Sequence, residues 1–200
     1  MTSSASGHPS GVAYGEGKLA LLDAAIAVVA DGGLRKLTWR AVAQRAGVTH
    51  GLVAHHFGSR DALITAALEL AVQRSIDASR LVPGSDRLED FAANLVDMAV
   101  TDADAQAFQY ELILEARRNP ELRPHVRSLL ETYRRNARTA LVELGLPDDQ
   151  PLADLVYAAL DGLVFGVYSE DDPARAHAAL GRLRELLGLL ARQGWTPDSR

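Results

Sequence analysis

Residues 37–60 read LTWRAVAQRAGVTHGLVAHHFGSR. Their spacing predicts a helix, a tight turn, a second helix and the opening of a third. Thr38 suits the N-cap of a helix over Trp39–Ala46, because its side-chain oxygen accepts from an amide the first turn leaves unpaired. Gly47 stands where that helix must stop, since glycine enters the left-handed region without a Cβ clash. Thr49 caps the next helix, His50–Phe57. Val42, Ala43, Ala46, Val48, Leu52 and Phe57 are expected to form a small apolar inner side, with Arg40, Arg45, His50, His55 and Arg60 outside it. A short exposed helix bearing hydrogen-bond donors is what the major groove of DNA admits.

The same residues carry a resemblance. Thr38, Ala43, Gly47-Val48-Thr49, Gly51, His56-Phe57, Ser59-Arg60 and Leu63 stand at spacings similar to the N-terminal domain of the TetR-type (tetracycline-repressor) transcriptional regulators, over roughly residues 18–70. The resemblance implies a three-helix DNA-binding unit and a dimer built by the last two helices. Many members carry a tyrosine at the place of Ala54, where it reaches a backbone phosphate, and alanine cannot do so. Phosphate affinity is therefore expected to rest on Thr38, Arg60, backbone amides and His55. Arg40 and His50, the latter in the first turn of the inserted helix, are the candidates for base edges. Thr49 and Gly51 complete the DNA-binding set, because Gly51 lets the helix N-terminus approach a phosphate closely.

The net charge of −5 looks wrong for a nucleic-acid binder, but its distribution does not. Residues 1–60 hold six Lys/Arg against three acids and four of the six histidines, whereas the remainder holds 15 Lys/Arg against 23 acids. An acidic body with one basic end favours docking through that end. The chain lacks cysteine, which excludes disulfides and thiolate metal sites. No uninterrupted apolar run approaches the ~18 residues of a membrane span, and the start MTSSASGHPSG has no secretory character. No membrane partner and a cytoplasmic location are expected.

Along the chain, residues 1–16 are expected to be a disordered arm. Residues 17–60 form the helix-turn-helix unit, 61–80 a connecting helix, and 81–194 an effector-binding and dimerisation domain. The first helix, over 17–31, carries Leu19, Leu22, Ile26 and Val29 at helical spacing and ends at Gly32-Gly33. Ser59 caps the connecting helix, which buries Leu63, Ile64, Ala67, Leu68 and Ala71. Pro83-Gly84-Ser85 breaks the chain. Helices follow over 86–100, 104–118, 121–144, 152–168 and 175–193. The last two are apolar on too many sides for one stripe, which predicts a four-helix interface with a second copy of the chain. Gly162, Gly166, Gly181 and Gly188 permit close helix approach there.

His50, His55 and His56 do not make a metal site: five residues apart is about 500° of helix, and no cysteine joins them. Motifs for phosphate cradles and nucleophile elbows are missing as well, so no catalytic residue, metal or cofactor is expected. The acidic half resembles the effector domains of the same family. Phe91, Met98, Phe108, Glu111 and Phe165 are the candidate ligand-binding residues, with Glu115, Asn94 or Asp161 as further polar anchors for a small, mostly apolar effector. The sequence therefore reads as an all-α homodimeric regulator. It binds palindromic operator DNA and is released by a small molecule. The alternatives are a helical interaction module with weak DNA binding and a helical enzyme using the inner pocket.

Overall fold

The computed structural model describes residues 14–81 and 86–197, and every regular element among them is helical. Of the arm expected over residues 1–16, residues 1–13 lie outside the described residues, as does the break at Pro83-Gly84-Ser85, whereas residues 14–16 are helical. In chain order the helices are α1 (Tyr14–Gly32), α2 (Trp39–Ala46), α3 (His50–Phe57), α4 (Arg60–Ser79) and α5 (Leu95–Thr101). They continue with α6 (Ala103–Glu115), α7 (Arg123–Glu143), α8 (Gln150–Glu170) and α9 (Pro173–Arg192). Single 3-10 turns at Leu34–Lys36 and Pro120–Leu122 lead into α2 and α7.

The boundaries of α2, α3 and α4 follow from local chemistry. The Thr38 hydroxyl accepts from the Ala41 amide at 3.1 Å and the Ser59 hydroxyl from Ala62 at 3.0 Å. Gly47 ends α2 at φ 69°, ψ 30°. α1 starts earlier than expected, at Tyr14 rather than residue 17. Its inward residues are Leu21, Leu22, Ala25, Ile26 and Val29, while Leu19 is 42% exposed. α1 is covered on two sides, by α2 and α4 and by α6. One core runs from Leu21 and Val42 through Leu63 and Ala67 to Phe108, Leu112 and Leu129, so the DNA-binding unit and the body share it. A second core, from Phe91 to Leu187, holds α5, α8 and α9 together.

The helix expected over 86–100 begins only at Leu95. Ala92 takes a left-handed φ of 50°. That turn lets its amide bond the Arg80 carbonyl at 3.0 Å and the Asn94 amide the Ser79 carbonyl at 3.2 Å. The incoming chain thus satisfies carbonyls that the end of α4 would otherwise leave orphaned. The Arg184 guanidinium fixes the same turn from α9, donating to the Phe91 carbonyl at 2.9 and 2.7 Å. Gly188 lets α9 approach closely: a Cβ there would stand 2.7 Å from the Leu88 side chain.

α8 corrects one expectation. Counted by average rather than by uninterrupted run, an 18-residue window of this 21-residue helix reaches a mean hydropathy of 1.4, long and apolar enough to cross a membrane. Only 33% of that window is buried within the chain. Its inward side is Leu152, Val156, Leu160, Val164 and Val167, and its outward side leaves Leu155 (68% exposed), Phe165 and Tyr168 open. On α9, Leu186 and Leu189 are open too.

Candidate nucleic-acid interface and effector cavity

The helix-turn-helix buries a short stripe and exposes the rest. Val42 and Ala43 of α2 and Val53 and Phe57 of α3 point inward. Val48 and Leu52, expected inside, are instead 37% and 39% exposed. The i, i+4 pair Val53 and Phe57 sets the inward phase of α3, which turns Leu52 out. Arg40, Thr49, His50, Gly51 and His55 are all exposed. The Thr49 hydroxyl makes no capping bond. A side chain at Gly51 would meet open space. His55 and His56 touch edge to face, with ring centroids 6.1 Å apart, and His56 is half-buried against Phe57. Arg45 pairs with Asp31 at 2.6 Å and ties α2 to α1.

Arg60 has a task that its sequence position did not reveal. Its Nε donates to the Leu37 carbonyl at 3.2 Å and its Nη2 to the Leu34 carbonyl at 2.8 Å. The guanidinium fork thereby clamps the turn before α2 to the start of α4. The hydrogens on Nη1 and the second one on Nη2 are left to face a phosphate.

In the body, a narrow cavity lies among α4, α5, α6, α7 and α8, with about 550 Å³ of non-atom space when its open mouth is included. Of the five residues expected to bind ligand, Met98 lines it and the other four do not. Phe91 and Phe108 are wholly buried in the two cores, since the bulkiest apolar side chains fill close-packed interior. Glu111 turns toward α1, with its carboxylate 3.2 Å from where a Cβ on Gly33 would stand. Phe165 is half-exposed and meets Tyr110 edge-on, at 5.3 Å between centroids. Asp161, one of the further anchors, does line the cavity, whereas Asn94 and Glu115 do not.

The wall is instead made by tyrosines and buried amides. Tyr133 stacks on Tyr157 at 6.0 Å and donates its hydroxyl proton to Gln109 Oε1 at 2.8 Å. The side-chain nitrogens of Gln106 and Gln109 donate to Ser75 Oγ of α4, at 3.1 and 3.3 Å. Tyr110 directs its hydroxyl at the Asp161 carboxylate across 3.4 Å. Burial pushes the Tyr133 phenol up to about 12, raises Tyr110 and Tyr157 as well, and holds the Asp161 carboxyl above the usual carboxylate range. Glutamine and tyrosine at helical intervals were the available sequence signal. Among the described residues no cluster of His, Cys, Asp or Glu is arranged to hold a metal ion.

A helix-turn-helix with an exposed second helix, joined through a shared core to a helical body with an internal cavity, defines a DNA-binding regulator that responds to a ligand. The profile for "Bacterial regulatory proteins, tetR family" matches residues 21–67. That for "Tetracyclin repressor-like, C-terminal domain" matches residues 83–189, more than half of the chain, and the protein belongs to this family. The chain is 30% identical over 165 residues to the HTH-type transcriptional regulator BetI of Rhizobium meliloti, covering 72% of this chain and 74% of that one. A transcriptional regulator from Rhodococcus sp. Rha1 superposes with a TM-score of 0.68 at 26% identity, over 90% of this chain and 99% of that one. The multidrug binding protein EbrR, solved with ethidium, superposes with a TM-score of 0.61 at 31% identity, over 88% and 98% of the two chains. The chain is thus a ligand-responsive, sequence-specific DNA-binding transcriptional regulator, of a family that binds operator DNA, acts as dimers and is governed by small-molecule effectors.

Proposed function

We propose that the protein is a homodimeric repressor whose two α3 helices enter successive major grooves of a palindromic operator, and that an effector in the α4–α8 cavity releases it. The observation that carries this is the pairing of an exposed α3, with Arg40, Thr49, His50, Gly51 and His55 open to solvent, with a cavity walled partly by α4, the helix that follows α3. Arg40 and His50 read base edges. Val48 and Leu52 offer apolar contact to thymine methyl groups. Thr38, Thr49, the amides at the start of α3 and His55 hold phosphates.

The dimer forms through the outward faces of α8 and α9. Leu155, Phe165, Leu186 and Leu189 are open there, and beyond the adjoining backbone of its own helix a Cβ placed on Gly162, Gly166 or Gly181 would meet open space among the described residues. That face also accounts for α8's membrane-like composition without a bilayer, and the DNA-binding role places the protein in the cytoplasm. In the cavity, Ser75 of α4 is hydrogen-bonded to Gln106 and Gln109 of α6. A ligand that displaces those amides moves α4 relative to α6 and changes the separation of the two DNA-binding units. Footprinting of genomic fragments with the purified protein tests the reading. The expected result is a palindrome with half-site centres about 34 Å apart and affinity that falls with salt. Binding that ignores sequence, or a footprint over a single half-site, counts against it.

A further inference from the structure

We propose that the effector of this cavity is an organic cation with an apolar, preferably aromatic, body, with Asp161 as its counter-ion and Tyr110, Tyr133 and Tyr157 as the ring faces that receive it. This rests on the reading of the cavity as the effector site. Every other residue lining the cavity is neutral, so its only formal charge is negative. Asp161 is half-buried and is absent from the ion pairs among the described residues. Its one side-chain partner is the Tyr110 hydroxyl, at the long separation of 3.4 Å. Arg134 of α7 is engaged with Asp154 at 3.4 Å and with the Tyr157 ring at 5.7 Å.

A carboxylate taken out of water without a cation is unfavourable, and a ligand that brings the cation reverses this. Aromatic faces carry negative potential and add attraction for a cation brought within about 6 Å. The Asp161 carboxylate opposes an anionic ligand, and a neutral one would leave it without a counter-charge. Cation recognition therefore uses the whole wall. EbrR, the related multidrug binding protein solved with ethidium, was solved with an aromatic cation.

The test uses the full-length protein and ligands that differ in charge but not in shape. Benzyltrimethylammonium is compared with its neutral carbon isostere, neopentylbenzene, and with the anion 3-phenylpropanoate, by calorimetric titration. Ethidium fluorescence serves as a second cationic probe. The cation is expected to bind at one site per protomer, roughly 10–100-fold more tightly than its isostere. Asp161→Asn is expected to remove most of that preference, leaving only the share the tyrosine faces supply, while keeping neopentylbenzene affinity within about twofold. Equal affinity for cation and isostere in the wild type overturns the proposal, and so does a preference that Asp161→Asn leaves undiminished. If the variant does not fold, the wild-type charge series decides alone.

The DNA arm separates this from the regulator reading. Operator release by the neutral isostere as readily as by the cation would leave the regulator and remove the cation. Tight, Asp161-dependent cation binding with no change in operator affinity would do the reverse.

Discussion

Single residues carry the parts of the site that sequence spacing reads best and worst. Thr38, Gly47 and Ser59 act where their local chemistry puts them, because a cap depends only on neighbours within one turn. Arg60 was legible as a cation near α3 but not as a clamp, since its acceptors lie 23 and 26 residues earlier. Arg60→Ala should lower the stability of the folded chain by about 2 kcal/mol, the scale of charge-assisted bonds to two carbonyls left part-buried. A melting curve read by circular dichroism measures it. Arg60→Lys should recover less than half, because an ammonium cannot fork between Leu34 and Leu37. His50 carries a different expectation. His50→Ala should relax discrimination at one operator position by about 1–3 kcal/mol and leave affinity for random duplex nearly unchanged. Competition titrations with single-base operator variants check this, and an equal loss on both DNAs would make His50 a backbone contact.

Helices, taken one at a time, were placed well by periodicity where their caps were local and badly where a distant element intervened. α3 runs over His50–Phe57 as expected. α5 is shorter, because the turn at Ala92 is held by carbonyls at the end of α4 and by Arg184 of α9. Helical phase also fixes a side chain's direction only about its own axis. It cannot say whether the neighbour on that side is a core or a cavity, so periodicity does not separate Phe91 and Phe108, which fill the cores, from Gln109, Tyr133 and Tyr157, which line the cavity. For α8 the phase argument is stronger, since apolar residues on nearly every side demand cover all round, and α5, α7 and α9 leave Leu155, Phe165 and Tyr168 open. Leu155→Glu, at a position 68% exposed, should leave the fold intact and give monomers by sedimentation at micromolar concentration. It should weaken operator binding through lost half-site linkage. A dimer undisturbed by that charge would mean the subunits meet elsewhere.

At the scale of the molecule, the division between DNA-binding unit and body is less sharp than the sequence implied. Continuity of the chain makes α4 a connecting helix. The structure adds α1 against α6, with Phe108 and Leu112 in the same core as Leu21 and Val42. Contacts between residues so far apart in sequence leave no trace in a local pattern. Phe108→Ala should therefore act on the whole protein rather than on ligand affinity, destabilising it by about 3–5 kcal/mol as a large buried aromatic is lost. Calorimetry should show one lowered transition. Two separated transitions would mean that the halves unfold independently and that the shared core does not couple them.

The open side of α8 and α9 also bears on how the protein comes to exist in a cell. In the proposed dimer this face is covered; until two chains meet, each newly made copy presents Leu155, Phe165, Leu186 and Leu189 to chaperones, to other unfinished chains and to any bilayer nearby. α8 is made after α1–α7, so this interval opens only once the DNA-binding unit has been synthesised. The yield of soluble protein then depends on a race between pairing and capture. Ribosomes following one another on a single messenger, which release copies close together, shorten that race.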